Sequence, residues 1–462
     1  MNIDELALLS LKDLQAGFAA KEISPVDVMK TTLEQVSKTE AALNALYDIR
    51  SDEAMKAALA SERRYARNEP ISGFDGIPVT LKDSVNAVGM TWFHGSAMHG
   101  KGVVATGDSP PAARLKKAGT IIFAKCVMPD YGLSASGVST SHGVVHNPWG
   151  LQWNTGGSSA GAGASLAAGI GMMSVGSDIA GSVRLPAGHC GLASIKPTQG
   201  VIPHAPASTV RSAGPMVRRA ADLDAWTELL SGPDIADRYS MALGRRKQRP
   251  LRVGISTGFG FGPEVEAEVL ACLQSAKAAL EDSVGPVSIV TREAGFDAYL
   301  PIDESLKLRG WYEYSGASPE LQRLAPKALY EWFREAESWS PSKLKEIEAG
   351  IERGVRFCVD LLTGIDVLVT PVSPVVNFPA EDLGIDPRMP LRHSTFTALF
   401  NQSGDPAVSI CGGFDRRGLP IGIQLVGKRH DDAALMMLAS DLEARLDVFG
   451  TNNRHWPTVP IA

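Results

Sequence analysis

The sequence predicts an α/β protein folded as one large domain, and three observations point that way. Its 462 residues, 44% hydrophobic and 21% charged, have an ordinary globular balance with ample length for a sizeable core. Short β-branched runs alternate with helical patterns along the chain. Length alone would allow about three domains, but no repeat, low-complexity tract or linker marks a seam.

The elements follow in order. Residues 1–70 carry the N-terminal helices. Within them, "SPVDVMKTTLEQVSKTEAALNAL" opens on a serine cap with proline at the first helical position, and "SDEAMKAALASERRYARN" forms the next helix. At "FDGIPVTLKDSVN" the texture changes to Gly-Ile-Pro and a short strand reaching Lys82 and Asp83. "DSPPAARLKKAG" then "TIIFAKCV" reads as helix then strand, and "WTELLSGP" closes a helix near 233. The uncharged run "AGAGASLAAGIGMMSVGS" (160–177) is Gly, Ala and Ser rather than Leu, Ile and Phe. That composition suits a closely packed core helix better than a membrane span. "PLRVGIS", "DVLVTPVSP" and "LPIGIQLVG" are strands, and the stretch from roughly 235 to 365 is a largely helical insertion rich in aromatic residues.

Composition excludes several function classes. The net charge of −6 comes with no basic stretch that would read as a nucleic-acid footprint. The N-terminus is acidic and amphipathic, unlike a secretory signal. Cys126, Cys190, Cys272, Cys358 and Cys411 are scattered with no CxxC pair, which argues against a disulfide framework or a zinc site. The expectation is a cytoplasmic protein with no membrane or nucleic-acid partner, no cofactor and no metal; a homodimer is left open.

Chemistry is suggested by serines in small-residue bends. Gly157-Ser158-Ser159-Ala160-Gly161 matches the G-x-S-x-G elbow, with Ser159 as nucleophile, but "NPWGLQWNT" supplies no hydrophobic strand to enter it. Ser342-Lys343-Leu344-Lys345 matches S-x-x-K, yet lies where Ser and Pro simply start a charged helix. His189 beside Cys190 invites a dyad, but adjacent side chains usually point apart, and both read as structural. Ser182, in "GSDIAGSVR", is exposed by a Gly-rich bend surrounded by backbone N–H groups, and no histidine stands in a recognisable triad context for it.

Taken together, "GIPVTLKD" (76–83), "GGSSAGAG" (156–163) and "GSDIAGSVRLPAG" (176–188) resemble the amidase signature family of serine hydrolases. The resemblance continues through "NPW", "CGLASIKPTQG", "GPMVRRAADL", "TFTALFNQSGDPAVSI" and "GLPIGIQLVG", covering most of the chain outside roughly 235–365. It implies a single domain over 1–462 with a mixed, twisted β-sheet core covered by helices. It also implies that Ser182 attacks, Ser158 relays the proton and Lys82 is the base, with a cis peptide before Ser158. The same resemblance assigns the oxyanion hole to the backbone N–H groups of Ile179, Ala180, Gly181 and Ser182. Asp178 and Arg184 hold that loop, and Gly132, Leu133, Ser134 and Ser158 face substrate. Alanine at 180 stands where many members have glycine.

The implied substrate is a small or medium neutral amide (aryl or alkyl amide, anilide, hydrazide or carbamate), cleaved at its C–N bond through an acyl-enzyme. Trp92, Phe93, Trp311, Tyr312 and Tyr314 are candidates for an apolar pocket, with the insertion shaping it. Two other readings share the scaffold: the glutaminase subunit of a tRNA-dependent amidotransferase complex, and a non-catalytic binding protein.

Overall fold

A computed structural model describes residues 2–244 and 250–450, so residues 245–249 of the expected insertion lie outside the described residues. Eleven strands form one sheet. Across it they run Leu46–Tyr47, Ile121–Cys126, Pro78–Lys82, Met173–Asp178, Ser212–Val217, Ala193–Lys196, Ala407–Phe414, Pro420–Gly427, Val367–Pro371, Val253–Ile255 and Ser288–Ile289. Pro78–Lys82 lies parallel to both Ile121–Cys126 and Met173–Asp178, whereas the middle of the sheet is antiparallel. The sheet is therefore mixed and the chain is a single α/β domain, as expected.

The N-terminal patterns form helices Ile3–Leu8, Leu11–Ala20, Pro25–Leu43 and Ser51–Ala66. Ser24 caps the third by accepting from the N–H groups of Val26 and Asp27, which satisfies two donors the helix cannot pair internally. Ile77, Val79 and Leu81, with Val175 and Ile195, are fully buried. Each such side chain contributes roughly 1.5–3 kcal/mol by leaving water, and their strict burial fixes the register that brings Leu81 level with Val175.

The uncharged run at 160–177 departs from expectation. It is not one helix: Ala160–Ala167 is helical, and Met173–Asp178 is a central strand. Gly169 and Gly171, at φ 84° and 74°, stop the helix between them. Small residues are needed in the helix itself because a Cβ on Gly161 would lie 2.1 Å from the Ala45 carbonyl oxygen. The expected insertion holds the helices Ala267–Val284, Leu300–Ser315, Lys327–Phe333 and Pro341–Leu361, and also the two outermost strands at one edge of the sheet. Among the described residues, no helix is long and apolar enough to cross a membrane.

Candidate active site

The site collects where three chain segments end side by side. Pro78–Lys82 delivers Lys82 at its C-terminal end, Met173–Asp178 runs into the bend that carries Ser182, and Ser158 precedes the helix Ala160–Ala167. Lys82, Ser158 and Ser182 are buried and line one narrow pocket. Lys82 Nζ lies 2.8 Å from Ser158 Oγ, and 3.2 Å from both the carbonyl oxygen and the Oγ of Ser177. Ser177 Oγ in turn lies 3.1 Å from Ser84 Oγ. The Gly157–Ser158 peptide is cis.

Burial disfavours the ammonium and pushes Lys82 down to about 7; Asp178 pulls the other way, and the nearby guanidiniums of Arg211 and Arg309 reinforce the fall. A lysine ordinarily holds its proton up to about pH 10.4. Here a neutral amine is available near neutrality.

The bend at 179–182 is held from behind. Asp178 accepts from the N–H of Gly181 (2.7 Å) and of Val183 (3.2 Å), and pairs with Arg184 at 2.9 Å with both side chains fully buried. Burial works to raise the Asp178 pKa, but the Arg184 guanidinium and its hydrogen bonds outweigh it and hold the carboxyl well below the usual range. Arg184 also donates to Thr397 O, Gln424 Oε1 and Asn401 Oδ1, so every edge of its fork is occupied. Thr397 Oγ1 donates to the Ala180 carbonyl. The left-handed conformation in this bend falls at Gly181, φ 118°, so alanine at 180 meets no such demand.

Several expected site residues sit elsewhere. The Gly181 N–H is committed to Asp178, which leaves Ile179, Ala180 and Ser182 from the expected four oxyanion donors. Gly132 and Ser158 line the pocket, but Leu133 packs into the apolar core and Ser134 bonds to Ser136 Oγ at 2.9 Å; Met128 and Tyr131 take their places in the wall. Phe93 packs on Tyr47 and His142. Trp311 and Tyr314 pack together, with Tyr314 also against Tyr330 and Phe333, while Tyr312 is exposed. Aromatic rings on a helix more readily bury against neighbouring helices than line a wet cleft. Only Trp92 of the five reaches the outer cleft.

The decoys resolve on position. Gly150–Asn154, which leads to Ser159, belongs to a two-stranded ribbon and not to the central sheet, and Ser159 is fully buried. Ser340 caps the helix Pro341–Leu361, and Lys343 pairs with Glu304 at 2.6 Å. Cys190 Sγ points to the Thr155 carbonyl, and burial pushes its thiol up and the His189 imidazole down to about 3.

Sequence reasoning missed Ser177, Ser84, His94, Arg211 and Arg309, which complete the walls. A signal existed for Arg211, the lone Lys, Arg, Asp or Glu in "VIPHAPASTVRSAGPMV". None existed for Arg309, which lies in a helix already rich in charge.

Known proteins resemble this chain along most of its length. The family model described as Amidase matches residues 27–300 and 323–436. The chain is 31% identical over 479 aligned positions to one of the subunits of the glutamyl-tRNA(Gln) amidotransferase of Anaeromyxobacter dehalogenans, covering 96% of this chain and 97% of that one. It is 29% identical to an acylamidase of Rhodococcus erythropolis with the same coverage. Among solved structures, a bacterial aryl acylamidase of the amidase signature family superposes with a TM-score of 0.84 at 22% identity, covering 95% of this chain and 96% of that one. A 6-aminohexanoate cyclic dimer hydrolase gives 0.82 at 24%, covering 95% and 97%. This chain belongs to the amidase family, among the amidase signature enzymes.

Proposed function

We propose that the protein hydrolyses the C–N bond of a small amide through an acyl-enzyme on Ser182, with Ser158 as relay and Lys82 as base. The observation that carries this reading is the buried Lys82, poised near neutrality and 2.8 Å from Ser158 Oγ. A neutral amine has two hydrogens and one lone pair. Its hydrogens suit the Ser177 carbonyl and hydroxyl oxygens, and its lone pair is left to accept from the Ser158 hydroxyl.

Ser182 Oγ attacks the amide carbonyl carbon and passes its proton to Ser158 Oγ, whose own proton moves to Lys82. The oxyanion that forms takes hydrogen bonds from the backbone N–H groups of Ile179, Ala180 and Ser182, donors fixed before the reaction begins. The C–N bond then breaks, and the amine leaves with the proton returned from Lys82 through Ser158. Water, deprotonated along the same path, attacks the ester and releases the acid, restoring Ser182.

The neutral aryl or alkyl amides, anilides, hydrazides and carbamates expected from the sequence all pass through this tetrahedral intermediate. A fluorophosphonate probe tests the reading: mass spectrometry should find the adduct on Ser182. An adduct on Ser159 instead would restore the elbow and overturn it.

A second reading, the glutaminase component of a tRNA-dependent amidotransferase, is favoured by the 31% identity to part of such an enzyme. Release of ammonia from glutamine together with a co-purifying protein partner would establish it over the stand-alone hydrolase. The non-catalytic binding protein has less support, since lysine and both serines are present and brought together.

A further inference from the structure

The outer cleft is cationic. It encloses about 560 Å³ and is lined by Ser84, Trp92, His99, Pro206, Ser208 and Glu313 among others; His94, Ile179, Arg211 and Arg309 border both it and the inner pocket. Arg211 and Arg309 therefore stand where the cleft narrows toward Ser182. Among the described residues the hydrogen bonds of their guanidiniums run to backbone carbonyls alone. Arg211 Nη2 donates to Pro206 O at 3.0 Å, and Arg309 Nη2 donates to Tyr131 O at 3.2 Å. Arg211 Nε is buried with no partner.

Three other guanidiniums are matched by a carboxylate. Arg184, Arg64 and Arg392 each meet a carboxylate within 2.9 Å. Burial disfavours a guanidinium, and a second one facing the same cleft repels it; together they push Arg211 down to about 10. Among the described residues Glu313 is the sole acid in the cleft wall, and burial lowers the pKa of both His94 and His99. Lys82, in the inner wall, adds positive charge whenever it is protonated. Carboxylate is the group whose planar oxygens match a guanidinium fork.

We infer that Arg211 and Arg309 form an anion subsite, and that the amide cleaved at Ser182 carries a carboxylate. The inference rests on the hydrolase reading for its chemistry and replaces the neutral substrate expected from the sequence with an acidic one. The carboxylate can belong to the acyl part, as in a dicarboxylic monoamide, or to the leaving amine, as in an N-acyl amino acid.

Two substrate pairs separate these sources. Succinamate against succinamide, read as ammonia release, places the charge in the acyl part. N-acetylglycine against N-propylacetamide, read as acetate release, places it in the leaving amine. At least one acidic member should exceed its neutral partner in kcat/KM by on the order of tenfold or more, the scale of a charged hydrogen bond. Arg309→Gln and Arg211→Gln should each shrink that ratio, chiefly through KM, and Arg309→Lys should restore part of it.

Calorimetric titration of the preferred acidic amide into Ser182→Ala protein gives a readout independent of turnover. Its Kd should rise on the order of tenfold when Arg309→Gln is added. Equal kcat/KM within both pairs, or a preference that survives both glutamine variants, overturns the inference. Fluorophosphonate labelling of Ser182 without acidic preference sinks the subsite and leaves the hydrolase standing. Arginine-dependent binding of the acidic amide without Ser182 labelling does the reverse.

Discussion

The inner end of the sheet and the helix Leu300–Ser315 both face the same cleft, yet they are built on opposite terms. Around Ser182 the bend is held by a buried polar network: Asp178 accepts from two backbone N–H groups, and Arg184 grips Asp178, Thr397, Gln424 and Asn401. The helix wall offers Arg309 and Glu313 at the margin of the cleft, supported by aromatic packing against Lys327–Phe333. Reaction chemistry needs positions fixed to fractions of an ångström, which a satisfied buried network supplies. Selectivity needs only the right charge at the mouth.

The sharpest way to break this contrast is at the nucleophile. Ser182→Ala should lower kcat by on the order of 10⁴-fold or more while thermal unfolding stays near wild type, because the lost hydroxyl is one small group in a bend held by Asp178. Substantial residual turnover, measured with pure protein, would move the chemistry elsewhere.

Next come the relay and base. Lys82→Ala and Ser158→Ala should each cost orders of magnitude, and the double variant little more than the worse single one, since they share a proton path. In wild type, kcat/KM should fall as pH drops below about 7, where Lys82 becomes protonated and can no longer accept. Lys82→Ala should flatten that limb. His189→Ala should leave it in place, because burial keeps His189 neutral down to about 3. A limb that follows His189 instead would refute the lysine.

A smaller effect, on stability, tests the supporting network. Arg184→Met strands the buried Asp178 carboxylate and should cost about 3–5 kcal/mol in urea unfolding. A loss below about 1 kcal/mol, the scale of an exposed ion pair, would mean the pair does not hold the bend.

The smallest effect is expected at the wall. Tyr314→Ala removes ring contacts with Trp311, Tyr330 and Phe333 and should lower stability by about 1 kcal/mol beyond its lost area. Turnover should change little, since Tyr314 lies outside the cleft wall. A large change in KM would place the aromatics in the substrate pocket after all.

By itself the sequence determined the α/β class, most strands and helices, and the three residues of the proposed proton path. Local rules carry the elements, and the family resemblance supplies the roles proposed for Lys82, Ser158 and Ser182. A serine and proline start the helix Pro25–Leu43, β-branched runs make strands, and Gly/Ser bends mark the segments holding Ser158 and Ser182. What tertiary structure alone decided is the cleft. Leu133 and Ser134 are next to Gly132 in the chain, but successive side chains in a turn diverge, and only Gly132 meets the pocket. Trp311 and Tyr314 follow Arg309 by two and five positions, so helical rotation carries them toward other helices while Arg309 turns to the site. Arg211 arrives from a loop nearly a hundred positions away in the chain. Which charges share a cavity depends on contacts between distant segments, and no local pattern encodes that.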